Sequence, residues 1–341
     1  MKVAISSKPY EGPWGGGNRF TAALVKSLVQ QNHVVTHDLD ARDIDVILII
    51  DPRRHSPNVC FGAGDVIRYL AFQNHHAVVI HRINECDERK GVAFINHKLV
   101  RANYTADATV FVGEWLTELP VWRKHLRSPW FVIRNGSDRD VFNADGFRPW
   151  SGRGPLKLVT HHWGYHRNKG FDVYAMLDHF LGEAQWRDRI AFTYVGQLPR
   201  RFSFTNARYV APLDGSALAN ELRSHHAYLT ASINEPGGNH QNEGALCGLP
   251  LVFRNSGCMP EYCRGYGVEF NDERDFPSAL GRFLSEYPGL VDRMPNYPWT
   301  AERMTREWIA LFEALLGERE KLVAARQLWR SPWTALINQV L

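Results

Sequence analysis

The stretch AYLTASINEPGGNHQNEGALCGLPLVFR, residues 227–254, decides the fold. AYLTASI (227–233) and LPLVFR (249–254) are short apolar runs bounded by turn residues, and both read as strands buried on two faces. Between them a helix opens near Asn239 and stops before Gly248 and Pro250, a left-handed cap followed by a residue that cannot continue a helix. Strand, helix and strand in so short a span form a βαβ unit. Glu235 falls just past the C-terminal end of the first strand, where ligands bind in open α/β sheets, and Glu243 lies about one turn inside the helix. Gly237 and Gly238 let the backbone approach a ligand closely. Free N–H groups and the positive end of the helix dipole then face the cleft, which suits a phosphate. An ionised carboxylate accepts through two oxygens and matches paired sugar hydroxyls. A glutamate in a first turn also caps a helix or complements its dipole, so the pair alone leaves both readings open.

The same rhythm extends in both directions. KVAISS (2–7), DVILII (45–50), AVVIHRI (77–83), ATVFVG (108–113) and FVIRNG (131–136) read as buried parallel strands, and RFTAALVKSLVQQ places Phe20, Leu24 and Leu28 on one helical face. NADGFRPWSGRGPLK (143–157) is rich in Gly and Pro, as a connection between domains should be. The pattern restarts with LKLVTHH (156–162), AFTYVG (191–196) and ARYVAP (207–212), with FDVYAMLDHFL and SALANELRSHH as helices. The expected architecture is α/β, two Rossmann-like domains facing a central cleft, over residues 1–148 and 149–300, with amphipathic helices in 301–341 packing back toward the first.

Composition narrows the function classes. At 341 residues, 44% hydrophobic, the chain can bury two domain cores. No run of about 18 apolar residues occurs, and MKVAISSKPYEG lacks a signal-peptide pattern, so a cytoplasmic protein is expected. Five cysteines without a CxxC pair argue against a disulfide framework, and the gaps between His240, Cys247, Cys258 and Cys263 match no zinc pattern. No metal is expected. A net charge of +4 falls short of a dedicated nucleic-acid binder. PVWRKHLRSPWF (120–131) interleaves Arg123, Lys124 and Arg127 with Trp122, Trp130 and Phe131, a composition that docks peripherally on anionic membranes and equally suits a charged domain surface over buried tryptophans.

Several ordered motifs resemble one family. Glu235 and Glu243 with the intervening PGGNHQN are similar to the E-x7-E signature of retaining GT-B glycosyltransferases, particularly family GT4. VIRNGSDRDVF (132–142), ADATVFVGEWL (106–116), NKGFD (168–172) and GGGNRF (15–20) resemble further motifs of that family in the same order, so the match covers nearly the whole chain. The resemblance implies that Glu235 contacts the transferred sugar and Glu243 the donor ribose. Gly237, Gly238, Asn239 and His240 would cradle the distal phosphate and sugar, Lys169 would oppose the diphosphate charge, and Gly15, Gly16 and Gly17 would form a closing loop. Trp163 stands where members of the family often carry arginine; Arg167 or one of His161, His162 and His166 would supply that charge. His81 is the counterpart of the family's N-terminal histidine, with Asn84, Glu85 and Asp87 as rivals for acceptor contact.

The implied activity is metal-independent transfer of a sugar from a nucleotide-diphosphate donor to a saccharide or lipid-linked hydroxyl, with retention. Front-face substitution would do this, the departing phosphate oxygen taking the acceptor proton. A dehydrogenase shares the βαβ texture, but no GxGxxG follows KVAISS. A nucleotide-sugar epimerase of the same architecture and a catalytically silent sugar-nucleotide binder are the alternatives.

Overall fold

The computed structural model describes residues 1–10, 16–51 and 58–339. The chain divides into two compact units, Met1–Arg134 with Glu302–Leu341, and Asn135–Ala301.

In the first unit the strands β1 (Lys2–Ile5), β2 (Val34–Thr36), β3 (Val46–Ile49), β4 (Val78–Ile83), β5 (Ala108–Phe111) and β6 (Trp130–Val132) form one sheet in the order β2-β1-β3-β4-β5-β6, every pairing parallel. Alternate residues serve two cores, as the two-residue period of a strand requires. Val3, Ile5, Val46, Leu48, Val78 and Ile80 face one side. Ala4, Ile47, Ile49 and Val79 face the other, against Val66, Tyr69 and Leu70. A sheet covered on both sides explains why every residue of β3 and β4 is buried, with no alternation between buried and exposed. The helix Ala301–Gly317 closes the first core with Trp308, which is fully buried and meets Phe20 edge-on at 5.4 Å. Large apolar side chains buried in this way stabilise by about 1.5–3 kcal/mol each.

In the second unit β7 (Leu156–His162), β8 (Ile190–Gly196), β9 (Arg208–Val210), β10 (Ala227–Thr230), β11 (Leu251–Arg254) and β12 (Gly267–Phe270) run in the order β12-β11-β10-β7-β8-β9, again all parallel. Chain order reverses between β7 and its neighbour β10. That is the topological switch point of a doubly wound sheet, where the two outgoing loops part and leave a crevice. Asn135 enters this unit with its N–H donating to the Tyr262 hydroxyl at 2.7 Å, and residues 143–157 lie wholly within it.

Ten strands fall on the apolar runs read from the sequence, while β2 and β12 do not. β2 is a three-residue edge strand with Val34 half exposed, and β12 points Glu269 outward, so neither carries a full apolar signature. β10 stops at Thr230 rather than running on to Ile233, because the Ala231 N–H leaves the ladder and donates to the Tyr174 hydroxyl at 3.2 Å. Of the aromatic residues in 120–131, Trp122 is fully buried edge-on to Phe111 at 5.3 Å and contributes to the core, whereas Trp130 on β6 is half exposed. Among the described residues no helix is long and apolar enough to cross a membrane.

Candidate active site

The loop after β7 and the segment after β10 converge at the switch point. Three contacts join them. The Ile233 N–H donates to the Asn168 carbonyl at 2.8 Å. Gly170 adopts φ +99°, and a Cβ there would stand 2.4 Å from the Ala231 Cβ. The Lys169 ammonium donates to Glu235 Oε2 at 3.0 Å, with both side chains mostly buried. Gly170 therefore serves close packing of the lysine turn on the segment that leaves β10, and in doing so aims Lys169 at Glu235.

Glu235 is fixed from a third direction. Its carbonyl accepts from the Cys258 N–H at 2.9 Å, and Asn234 before it holds a left-handed φ of +52°, its N–H donating to Ser256 Oγ at 2.9 Å. Beyond it, the Gly237 carbonyl accepts from Asn135 Nδ2 at 2.6 Å and the Gly238 carbonyl from Gln241 Nε2 at 2.6 Å. Asn242 Nδ2 donates in turn to the Asn135 carbonyl at 3.1 Å. Both glycine carbonyls are thus turned inward.

The helix His240–Leu246 begins one residue after Asn239, and Gly248 follows its end with φ +90°. All seven of its residues are buried. It lies directly on β10, where a Cβ on Gly244 would sit 2.3 Å from the Tyr228 ring. Glu243, 2% exposed, is held by His161 Nε2 at 2.7 Å from its Oε2, and the Tyr228 hydroxyl lies 3.0 Å from His161 Nδ1. In the neutral tautomer that donates to Glu243 through Nε2–H, Nδ1 accepts from Tyr228. His240 Nε2 lies 2.8 Å from Thr230 Oγ1, and the His161 and His162 rings stand edge-on to it at 6.4 and 4.7 Å. Burial above all, then the nearby Lys169 charge, lowers the His240 pKa to about 3, so this imidazole is neutral at ordinary pH.

The result is a buried acid–base cluster of Lys169, Glu235, His161, Glu243 and neutral His240 at the carboxyl ends of two adjacent parallel strands. It can neutralise an anion through the ammonium and accept hydroxyl hydrogen bonds at the carboxylates. Among the described residues no three His, Cys, Asp or Glu side chains gather in a way that could hold a metal ion.

No protein-family model matches the chain, and no curated protein matches it in sequence. Solved structures match nearly its whole length. Sucrose-phosphate synthase from Thermosynechococcus elongatus is 14% identical with a TM-score of 0.62, covering 93% of this chain and 98% of that chain. HepE of Anabaena, solved in complex with UDP-glucose, is 11% identical with a TM-score of 0.65, covering 92% of this chain and 100% of that chain. An α,α-trehalose-phosphate synthase (UDP-forming) from Burkholderia vietnamiensis is 13% identical with a TM-score of 0.59, covering 89% of this chain and 78% of that chain. The fold is GT-B.

In this GT-B chain the second unit brings together Lys169, Glu235, Gly237, Gly238, Asn239, His240 and Glu243. Arg167 shares the lysine's short turn, Arg167–Lys169, but is exposed. In the first unit, Gly16 and Gly17 are the opening residues of the helix Gly16–Gln30 rather than part of a loop, the Gly17 carbonyl accepting from Thr21 Oγ1 at 3.1 Å; Gly15 lies outside the described residues. A Cβ on Gly17 would meet only ordinary contact, with Asn84 Nδ2 at 3.8 Å. His81 does not end its strand, which continues to Ile83. It is fully buried, its Nδ1 lies 3.3 Å from Asn103 Nδ2, and burial lowers its pKa to about 3.

Two contributors were not singled out from the sequence. Asn135, which anchors the glycine turn, stands in the RNGS stretch, so its signal was present. Arg254 at the end of β11 is nearly fully buried, donates to the Ala231 carbonyl at 3.1 Å and pairs with Asp172 at 2.6 Å, tying three switch-point segments together. Nothing in its local sequence marks it.

Proposed function

We propose that this protein is a glycosyltransferase of the retaining, metal-independent kind, moving a sugar from a nucleoside-diphosphate sugar to an acceptor hydroxyl. The observation that carries the reading is the Lys169–Glu235 pair at the switch point. It sets one cation for a leaving diphosphate beside one carboxylate for sugar hydroxyls. The fold shared with HepE, which was solved with UDP-glucose, makes UDP-sugars the first donors to test.

When the bond between the anomeric carbon and the phosphate oxygen lengthens, negative charge grows on the diphosphate, and Lys169 stabilises it. Donor binding draws the ammonium onto the phosphate and leaves Glu235 to accept from sugar hydroxyls, which orients the anomeric carbon. The acceptor oxygen bonds to the anomeric carbon on the face from which the phosphate leaves, and the departing phosphate oxygen takes its proton, so configuration is kept and no separate base is required. A retaining glycosidase would instead need a carboxylate as nucleophile. Glu243 accepts the ribose hydroxyls, with His161 and Tyr228 fixing the orientation of its carboxylate. Neutral His240 adds no charge of its own, which leaves compensation of the diphosphate to Lys169.

The test is a panel of nucleoside-diphosphate sugars read by thermal stability, then by product analysis with candidate acceptors in excess EDTA. A true donor at 100 times its Kd adds about 2.7 kcal/mol of stability. Transfer to an acceptor with the donor's anomeric configuration is the expected product. Isomerised free donor would identify an epimerase instead, and donor binding without turnover would identify a silent binder.

A further inference from the structure

The first unit holds a cavity of about 880 Å³ on the edge of its sheet opposite the strands' carboxyl ends. It is bounded by the end of the helix Ile95–Asn103, by the residues that enter β5 and β6, and by the C-terminal segment. Five cationic side chains from three stretches line it: Arg101, Arg127, and Lys321, Arg326 and Arg330 of the C-terminal segment. A single carboxylate, Asp107, lines it with them, and Arg326 already claims it through both oxygens.

The remaining charge is not spent on ion pairs inside the cavity. Arg101 and Arg127 make no ion pair among the described residues, and Lys321 reaches outward to Glu318 at 3.3 Å. Arg330 is held without a carboxylate. Its guanidinium lies over the Tyr104 ring at 4.0 Å, Nη2 donates to the Tyr104 carbonyl at 2.8 Å, and Nη1 donates to the Gln327 carbonyl at 3.2 Å. Tyr104 is itself riveted to the C-terminal segment, its hydroxyl donating to the Leu328 carbonyl at 2.8 Å and accepting from the Ser331 N–H at 2.9 Å. Stacking and carbonyl acceptors orient an arginine without neutralising it, so an anion entering the cavity meets cations that no carboxylate lining it has claimed. Burial and the neighbouring Arg127 both press the Arg330 pKa down, a sign of this crowding.

We propose that this cavity is a binding site for a phosphorylated ligand bearing at least two negative charges, gripped by Arg101, Arg127 and Arg330. Arginine matches phosphate oxygens in bidentate geometry, and the volume exceeds what a single phosphate fills, so a diphosphate or a phosphate ester fits. The site is separate from the Lys169 cluster, which lies in the other unit.

Inorganic pyrophosphate is the probe, titrated calorimetrically into wild-type and Lys169→Met protein so that binding near Lys169 is distinguished. The Lys169→Met protein is expected to keep one pyrophosphate site whose affinity falls at least tenfold in the Arg101→Gln/Arg127→Gln variant and falls steeply with salt. Both of these arginines are exposed, so the fold survives their loss; Arg123→Gln, outside the cavity, should bind as the parent does. Vesicles of phosphatidylcholine with and without phosphatidic acid, whose phosphomonoester carries up to two negative charges, identify the ligand's source. Arginine-dependent sedimentation, above that with pure phosphatidylcholine, assigns the site to a lipid headgroup; pyrophosphate binding without sedimentation assigns it to a soluble phosphate ester. Absence of pyrophosphate binding in the Lys169→Met protein, or binding unchanged by the double arginine substitution, overturns the proposal.

Discussion

Lys169 Nζ lies 3.0 Å from Glu235 Oε2, joining the loop that leaves β7 to the segment that leaves β10. The two residues are separated by 66 positions in the chain, and the pair spans the point where strand order reverses. Its consequences for activity and for stability can be separated.

Lys169→Met keeps most of the stem and deletes the charge. Turnover should fall by about 10²-fold or more, the scale seen when one preorganised stabilising donor is lost. Removing one partner of a mostly buried pair should also destabilise the fold, by roughly 3 kcal/mol. In Lys169→Met/Glu235→Gln, urea unfolding should show much of that stability recovered while turnover stays low. A double variant that regained activity along with stability would remove Lys169 from the chemistry.

The two glutamates should separate kinetically. Glu235→Gln is expected to lower kcat with little change in donor KM, because contacts to the transferred sugar strengthen as the bond breaks. Glu243→Gln should chiefly raise donor KM, by about tenfold, since ribose binding is the same in ground and transition states. Steady-state kinetics with a confirmed donor decide this, and identical profiles for the two variants would contradict the division of labour.

Gly170 should tolerate no side chain. Its φ of +99° is strained for any L-residue, and an added Cβ would overlap backbone atoms of Ala231 as well as its Cβ. Gly170→Ala should cost at least about 1–3 kcal/mol, measurable by urea denaturation, and should reduce turnover through displaced Lys169. Gly17→Ala meets no such obstruction and should fold normally.

Acid should destabilise the protein through its buried histidines. His81 and His240 have folded pKa values of about 3 against 6.5 when exposed, so both stay neutral in the fold where the unfolded chain would protonate. Above pH 6.5 neither contributes a pH dependence. From there down toward pH 3, unfolding takes up one proton at each, and stability falls by about 1.4 kcal/mol per pH unit for each histidine. Urea midpoints between pH 7 and pH 4 test the slope, and His81→Asn should shed one histidine's share of it. A flat profile across that range would mean that these imidazoles are solvated.

Much of this architecture is written locally. The parallel strands β3, β4, β5 and β7 are legible because burial on both faces makes each a short run dominated by apolar residues, and the helix before Gly248 is legible because its cap needs a left-handed residue. β2 and β12 are not, since VVT is only three residues with Val34 half exposed and GVEF is interrupted by the outward Glu269, whereas the edge strands β6 and β9 lie within longer runs. His81 shows the opposite limit. The run AVVIHRI (77–83) reads as a strand through His81, but the sequence leaves open whether that histidine meets an acceptor, and burial within the strand suppresses its charge.

The sequence by itself determined which residues could meet: a lysine before a glycine in the NKGFD stretch, and two glutamates flanking a glycine pair at the end of a strand. Only the tertiary structure decided what each does there. Gly170 serves contact with Ala231, Lys169 faces Glu235, and Glu243 is taken up by His161, because strand order in the second sheet places β10 beside β7 rather than β8 beside β10. Local propensity is set within a few residues, whereas which strands become neighbours depends on burying all the apolar faces at once, and that choice brings charges many tens of residues apart to within 3 Å.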